Sequence, residues 1–337
     1  MKINALIKTL SLSTAIMLTG MNGAAAEDRD YILATASTGG TYYPVGVALA
    51  TLSKVKLAPK YDFSLSAISS AGSGENIKLL RENEAQFAIL QGLYGAWAWG
   101  GEGKLKQSGP QKELRSVSML WQNVEHFVVL SDLAKTGTMA DMKAMDGNKF
   151  SIGKKNSGTE GSGLQILSGL DINTDKMDFA YLGYGASADA MQNGTVDGMN
   201  TPAGVPVSAV TRAYASIGDK ITILNFTDEE MKEANGDYNL WTRFVIEPNT
   251  YPGQTKAVET IAQPNFLAVR SDISDEDVYL LTKTIYENLA FLNGIHKATK
   301  AMSLQKSIDG LPVPLHPGAA RYYKEQGLTI PAQLIAN

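Results

Sequence analysis

Two loops rich in glycine and hydroxyl residues carry the groups best suited to bind an anion. The first is STGGTYYPVG (37–46), which has three glycines, two adjacent tyrosines and no charged side chain. The second is KKNSGTEGSG (154–163), which adds two lysines to the same small residues. Glycine and serine let a ligand approach the backbone, and the N–H groups that begin a helix attract negative charge. The first loop is therefore predicted to hold a carboxylate or a phosphate.

The first loop is predicted to join a strand to a helix. YILATA (31–36) has the composition of a short strand, and apolar residues recur at helical spacing from Val45 to Val55. Pro44 suits the first turn of a helix, where its missing N–H is not needed. The helix is therefore predicted to begin at about Tyr43.

The same order of elements repeats along the chain. YDFSLSAI (61–68) and AQFAIL (85–90) are predicted strands, and between them lies a helix for which Ser73 is a candidate N-cap. Gln91 stands at the carboxyl end of the second of these strands. A second set of alternating elements begins with the strand KFSIG (149–153). The pattern predicts parallel sheets covered by helices, with ligand binding beyond the carboxyl ends of the strands.

Composition excludes several kinds of site. The 337 residues include no cysteine and only three widely separated histidines, so disulfides and thiolate chemistry are excluded and a histidine metal site is not expected. The net charge of −4 gives no basic surface for nucleic acid. The chain lacks the G-x-S-x-G and P-loop motifs, and the glycine turn at 158–163 does not have the spacing of the dinucleotide-binding motif. Neither enzymatic activity nor a cofactor is predicted.

The first 26 residues have the pattern of a secretory signal peptide. Lys2 and Lys8 precede an apolar stretch at 10–21, and Ala24 and Ala26 occupy the small-residue positions of a cleavage site. The alternative is a membrane anchor, for which the apolar run is too short and too rich in serine and threonine. We expect cleavage after about Ala26 and a soluble product in the periplasm.

Nine segments then run in one order along nearly the whole mature chain. They are TGGTYYPVG (38–46), GSGENIKLL (72–80), FAILQ (87–91), VEHFVVLSD (124–132), NSGTE (156–160), ASADAMQNGTVDG (186–198), GVP (204–206), TYPGQ (250–254) and GLPVPLHPGAARYYKEQGL (310–328). Through these segments the chain resembles the TAXI-type (TRAP-associated extracytoplasmic immunogenic) substrate-binding proteins of TRAP transporters.

The resemblance implies an α/β protein with the type II periplasmic binding protein fold, in which two lobes surround a ligand cleft. Residues 27–133 with 262–337 are expected to form lobe 1, and residues 134–261 lobe 2. Such a protein, expected to be a monomer, would capture a small organic acid such as glutamate or 2-oxoglutarate and deliver it to the TRAP membrane permease subunits. The alternative is a binding protein that presents its ligand to a membrane sensor kinase.

The resemblance also implies a set of ligand-binding residues, among which Tyr42 rather than Tyr43 is expected to contact the ligand. The set is Thr38, Gly40, Thr41, Tyr42, Ser73, Gln91, Ser157, Gly158, Thr159, Gly204 and Val205. Ser157 to Thr159 could instead simply cap a helix, and Ser73 could cap without touching ligand.

The sequence departs from the family pattern near the expected site. Gly92 stands where an acidic residue is common, which weakens the case for an amino-acid ligand. Lys154 and Lys155 replace uncharged residues, and either could bind a second carboxylate or simply be solvated. Together these departures favour a keto- or dicarboxylic acid. Glu125 and His126, near the expected hinge, are interpreted as a structural pair rather than a pH switch.

Overall fold

Two β-sheets organise residues 29–335, the part of the chain that the computed structural model describes. The strands of the first sheet are β1 (Asp30–Ala34), β2 (Ser64–Ile68), β3 (Phe87–Gln91), β4 (Leu114–Val124), β10 (Thr242–Ile246) and β11 (Val258–Arg270). Those of the second are β5 (Phe127–Leu130), β6 (Lys149–Ser151), β7 (Asp178–Ala180), β8 (Gly198–Asn200) and β9 (Ile221–Ile223). The predicted signal peptide, residues 1–26, lies outside the described residues.

Both sheets are mixed, whereas the sequence predicted parallel ones. The first has the order β10-β11-β3-β1-β2, with β4 paired to β11, and only the pairs of β1 with β2 and β3 are parallel. The second has the order β7-β6-β8-β5-β9, in which β6 is parallel to both neighbours and β5 is antiparallel to its own. In each sheet a parallel core remains, so the loops that follow its strands emerge at one edge.

Helices cover the sheets and begin at several of these loops. They are α1 (Tyr42–Lys56), α2 (Ala58–Tyr61), α3 (Ser73–Arg81), α4 (Gly92–Gly100), α5 (Gly158–Gly169), α6 (Tyr184–Gln192), α7 (Ser208–Ile217), α8 (Asp228–Asn235), α9 (Asp275–Glu287), α10 (Leu289–Ile295) and α11 (Pro317–Glu325). Within residues 29–335, none of the helices has the length and apolar character needed to cross a membrane.

Serine residues at two helix starts differ in whether they cap the helix. Ser274 caps α9, because its hydroxyl accepts the N–H of Asp277 at 3.1 Å. The prediction that Ser73 caps α3 is wrong. Gly72 holds the N-cap position with a left-handed φ of 124°, and Ser73 is the first helical residue. The Ser73 hydroxyl accepts the N–H of Gln91 at 3.1 Å instead, which ties α3 to the end of β3.

Strands β5 and β10 do not belong to the sheet of the predicted lobe range in which they fall. β5 falls within 27–133 but belongs to the second sheet, where Phe127 stacks on Phe150 with 6.1 Å between ring centroids. β10 falls within 134–261 but pairs along its whole length with β11 of the first sheet. The strands therefore change sheet between Val124 and Phe127, and again between Ile223 and Thr242.

Candidate ligand-binding site

A cavity lies where the loops after β1, β2 and β3 face the loops after β6, β7 and β8. Its wall is formed by Ala36, Ser37, Gly40, Thr41, Tyr42, Ala71, Gly72, Ser73, Gln91, Asn123, Lys154, Ser157, Gly158, Thr159, Leu182, Gly183, Tyr184, Pro202 and Ala203. The space between protein atoms, including the mouth, is about 440 Å³. A cavity of this size suits a small molecule.

The structure brings most of the predicted residues to this wall. The residues found there are Gly40, Thr41, Tyr42, Ser73, Gln91, Ser157, Gly158 and Thr159. They come together because the first loop and the β6–α5 loop both follow parallel strands, whose carboxyl ends face each other across the cleft. Their direct contact with a ligand stays a prediction.

Three predicted residues lie off the wall. Thr38 is exposed on the β1–α1 loop, and Val205 lines a separate surface groove. Gly204 is buried against Trp121, and its carbonyl oxygen accepts the Thr41 hydroxyl at 2.9 Å. The loop after β8 therefore contributes Pro202 and Ala203 to the cavity wall. Gly204 lies off the wall and holds the Thr41 hydroxyl through this hydrogen bond.

The wall favours negative charge. Helices α1, α3, α5 and α6 all begin at it, and the first N–H groups of a helix have no carbonyl partner within the helix. Their aligned dipoles add a partial positive charge at each start. Among the described residues of the wall, Lys154 is a cation and none is a carboxylate. These groups suit a negatively charged ligand.

The two lobes touch beside the cavity. The N–H of Glu75 in the first turn of α3 donates to the carbonyl of Asn156 at 2.9 Å. The Tyr94 hydroxyl donates to the carbonyl of Ser157 at 3.0 Å. These bonds join α3 and α4 of the first lobe to the loop before α5 of the second. In this structure the two lobes are therefore in direct contact beside the cavity.

Tyr184 and Asn123 are two of the wall residues that were not predicted from the sequence. Tyr184, at the start of α6, shares a 2.7 Å hydrogen bond with the Thr159 hydroxyl and donates to the carbonyl of Pro202 at 2.6 Å. Asn123 lies on β4 and is buried at the cavity. Burial raises the pKa of the Tyr42 and Tyr184 hydroxyls, so both stay protonated. No sequence motif marks either residue, because Asn123 sits inside a strand and Tyr184 follows an ordinary loop.

Polar residues are buried at the crossing between the sheets. Glu125 accepts a hydrogen bond from Asn200 at 3.2 Å, and burial raises the pKa of its carboxyl to about 7. His126 contacts the carbonyl of Val124 and the Tyr251 hydroxyl, and burial lowers its pKa to about 4. Glu125 and His126 are thus held by different residues, and the predicted pair is wrong in that respect.

The raised pKa of Glu125 makes the contribution of this residue to stability fall as the pH rises. Between the ordinary pKa of 4.5 and the folded pKa of about 7, the folded state keeps a proton that the unfolded state has lost. The Glu125 contribution to the free energy of unfolding should therefore decrease through this window, by about 3 kcal/mol in total. Glu125→Gln removes the effect, so the variant should melt close to wild type at pH 5 and several degrees higher at pH 8.

The measurement is thermal unfolding of both proteins at several pH values between 5 and 8. Taking the difference between them cancels the contribution of His126, which is present in both. Glu229→Gln changes an exposed carboxylate of α8 and should leave the pH profile of wild type unchanged. Parallel profiles for wild type and Glu125→Gln would contradict the assignment.

Comparison with known proteins agrees with this architecture. The family model described as the NMT1-like family matches residues 33–327. One similar structure is MatC from Rhodopseudomonas palustris with bound malate, at 11% identity, a TM-score of 0.56, and coverage of 89% of this chain and 99% of that one. Another is PhnD1 from Prochlorococcus marinus in complex with methylphosphonate, at 11% identity, a TM-score of 0.52, and coverage of 89% and 96%.

At these identities the likeness concerns the fold alone, and it confirms the predicted two-lobed α/β fold of periplasmic binding proteins. The family match extends over nearly all of the described residues and includes every element of the cavity wall. The chain therefore belongs to the NMT1-like family of periplasmic ligand-binding proteins.

Proposed function

We propose that the protein captures a small organic anion in the periplasm and releases it to the permease of a TRAP-type transporter, as TAXI-type proteins do. The observation that carries the proposal is the meeting of four helix N-termini at one cavity whose described wall has no carboxylate. Capture and release require no bond chemistry, so the protein has no enzymatic role in this proposal. Malate and methylphosphonate, the ligands named for two similar structures, are both small anions.

Binding is coupled to closure of the lobes. One carboxylate of the ligand lies at the first amides of α1, near Gly40 to Tyr42, and the turn from Ser157 to Thr159 meets the ligand from the second lobe. Because only the closed form makes both sets of contacts, the ligand stabilises that form. The permease then recognises the closed surface and reopens it.

The charge of the wall favours a second carboxylate over an amino group. Lys154 lies at the mouth of the cavity with its side chain along Gly183, the residue before α6. An ammonium group would find no counter-charge among the described wall residues, whereas a second carboxylate finds Lys154 and a helix N-terminus. A dicarboxylate without an amino group is therefore preferred over glutamate.

A thermal-shift screen of the mature protein tests the proposal. The library contains amino acids, hydroxy and keto acids, dicarboxylates, phosphates and sugars at equal concentration. A ligand that binds the folded state raises the melting temperature by mass action. We expect the largest shifts from small dicarboxylates. Shifts from sugars or cations together with none from any acid would contradict the proposed function.

A further inference from the structure

Asn123 is an unpartnered amide in the wall of the cavity. It lies near the end of β4, opposite Gln263 of β11, and only 1% of its surface is exposed. Its Nδ2 and its Oδ1 are both buried without a hydrogen-bond partner among the described residues. A buried polar group left unpaired costs about 1–3 kcal/mol, so this side chain is placed to bind a group that enters the cavity.

The conclusion does not depend on which way the amide is turned. An asparagine side chain has one end that donates and one end that accepts, and here both ends lack a partner. Rotation by 180° exchanges the two ends and leaves one donor and one acceptor unpaired. The ligand must therefore offer both an acceptor and a donor to satisfy Asn123.

The two tyrosine hydroxyls of the cavity wall already donate to other residues. The Tyr42 hydroxyl donates to Asn265, and the Tyr184 hydroxyl donates to the carbonyl of Pro202. A dicarboxylate or a keto acid that is ionised at neutral pH offers acceptors only. An amino acid offers a donor, but its ammonium group is positively charged. The described wall residues include the cation Lys154 and no carboxylate that could balance this charge. A hydroxyl group supplies the donor without the charge.

We propose that Asn123 is a specificity-determining residue that selects a small hydroxycarboxylic acid. The amide nitrogen donates to a carboxylate oxygen of the ligand, and the amide oxygen accepts from the hydroxyl of the same ligand. This inference rests on the proposed function and narrows its ligand class from dicarboxylates in general to those with a hydroxyl group.

Two matched series of acids test the inference by calorimetry at pH 7. The four-carbon series is succinate, malate, oxaloacetate and aspartate, and the five-carbon series is glutarate, 2-hydroxyglutarate, 2-oxoglutarate and glutamate, with each enantiomer measured separately. In the series that fits the cavity, one enantiomer of the hydroxy acid should bind at least about tenfold tighter than the other three members, because a site built for a hydroxyl rejects analogues that lack it.

Asn123→Leu tests the residue itself. The variant keeps the approximate volume and removes both polar ends, so the hydroxy acid and the unsubstituted acid should bind with similar affinity. Gln122→Leu is the control, because Gln122 precedes Asn123 in β4 and lines a different groove. Its amide oxygen is also buried without a partner among residues 29–335. It should retain the preference of wild type.

The outcomes separate the two proposals. Equal binding of the hydroxy, keto and unsubstituted acids by wild type overturns the role of Asn123 alone. A preference for the hydroxy acid that persists in Asn123→Leu also overturns the role of Asn123. Absence of binding by every acid in both series overturns this inference together with the proposed function. The wild-type series decides the question even if the Asn123→Leu variant does not fold.

Discussion

Gly158→Val is expected to weaken ligand binding about 10- to 100-fold while the protein remains folded. This loss of affinity corresponds to the usual free-energy cost of overpacking. A Cβ atom at position 158 would lie 2.7 Å from the Gln91 side-chain amide and 2.8 Å from the Ser73 hydroxyl. Both of these groups belong to the opposite lobe. The substitution therefore acts chiefly on closure, since the open form has no such contact.

Affinity is measured by calorimetry with the acid that gives the largest thermal shift. Gly294→Val is the matched control, because a Cβ at Gly294 in α10 meets no atom of the described part of the chain within 4 Å. The control should bind as wild type does. An unchanged affinity in Gly158→Val would show that the lobes do not close at this point when ligand is bound.

Tyr42→Ala is expected to reduce affinity at least about tenfold and to lower the free energy of unfolding by about 3 kcal/mol or more. The ring lines the cavity at the start of α1 and packs edge-on against Trp121, with 6.1 Å between centroids. Its hydroxyl donates to Asn265, which would lose that partner. The variant thus removes part of the wall and leaves a buried amide unsatisfied.

Two further variants separate these effects. Tyr42→Phe keeps the ring and loses the hydroxyl, so it should retain more of the affinity than Tyr42→Ala. Tyr43→Ala changes the neighbouring half-buried tyrosine, which does not line the cavity, and should bind as wild type does. A folded Tyr42→Ala protein with wild-type affinity would remove Tyr42 from the site.

The parts of the site that follow strand ends could be predicted from the sequence. The loop from Gly40 to Tyr42 and the turn from Ser157 to Thr159 are local features, because a strand, a glycine-rich turn and a helix start lie next to one another in the chain. Their position at the cleft follows from the general geometry of α/β sheets. The structure places both segments in the wall for this reason.

The remaining features depend on contacts that no local pattern records. Asn123 reaches the cavity because β4 pairs with β11, which returns from the far end of the chain. Gly204 turns away because Trp121 packs against it. The sheet assignment of β5 likewise depends on pairing with β8 and β9, which are distant in sequence. These features are decided by tertiary packing rather than by composition or periodicity.

The affinity for an acid compared with that for its uncharged analogue tests the central claim most directly. Calorimetry would measure the dicarboxylate with the largest thermal shift against the corresponding diamide, which has the same shape and no negative charge. Because helix N-termini and Lys154 favour negative charge, the acid should bind at least about tenfold tighter. Equal affinities, or tighter binding of the diamide, would contradict an anion site in this cavity.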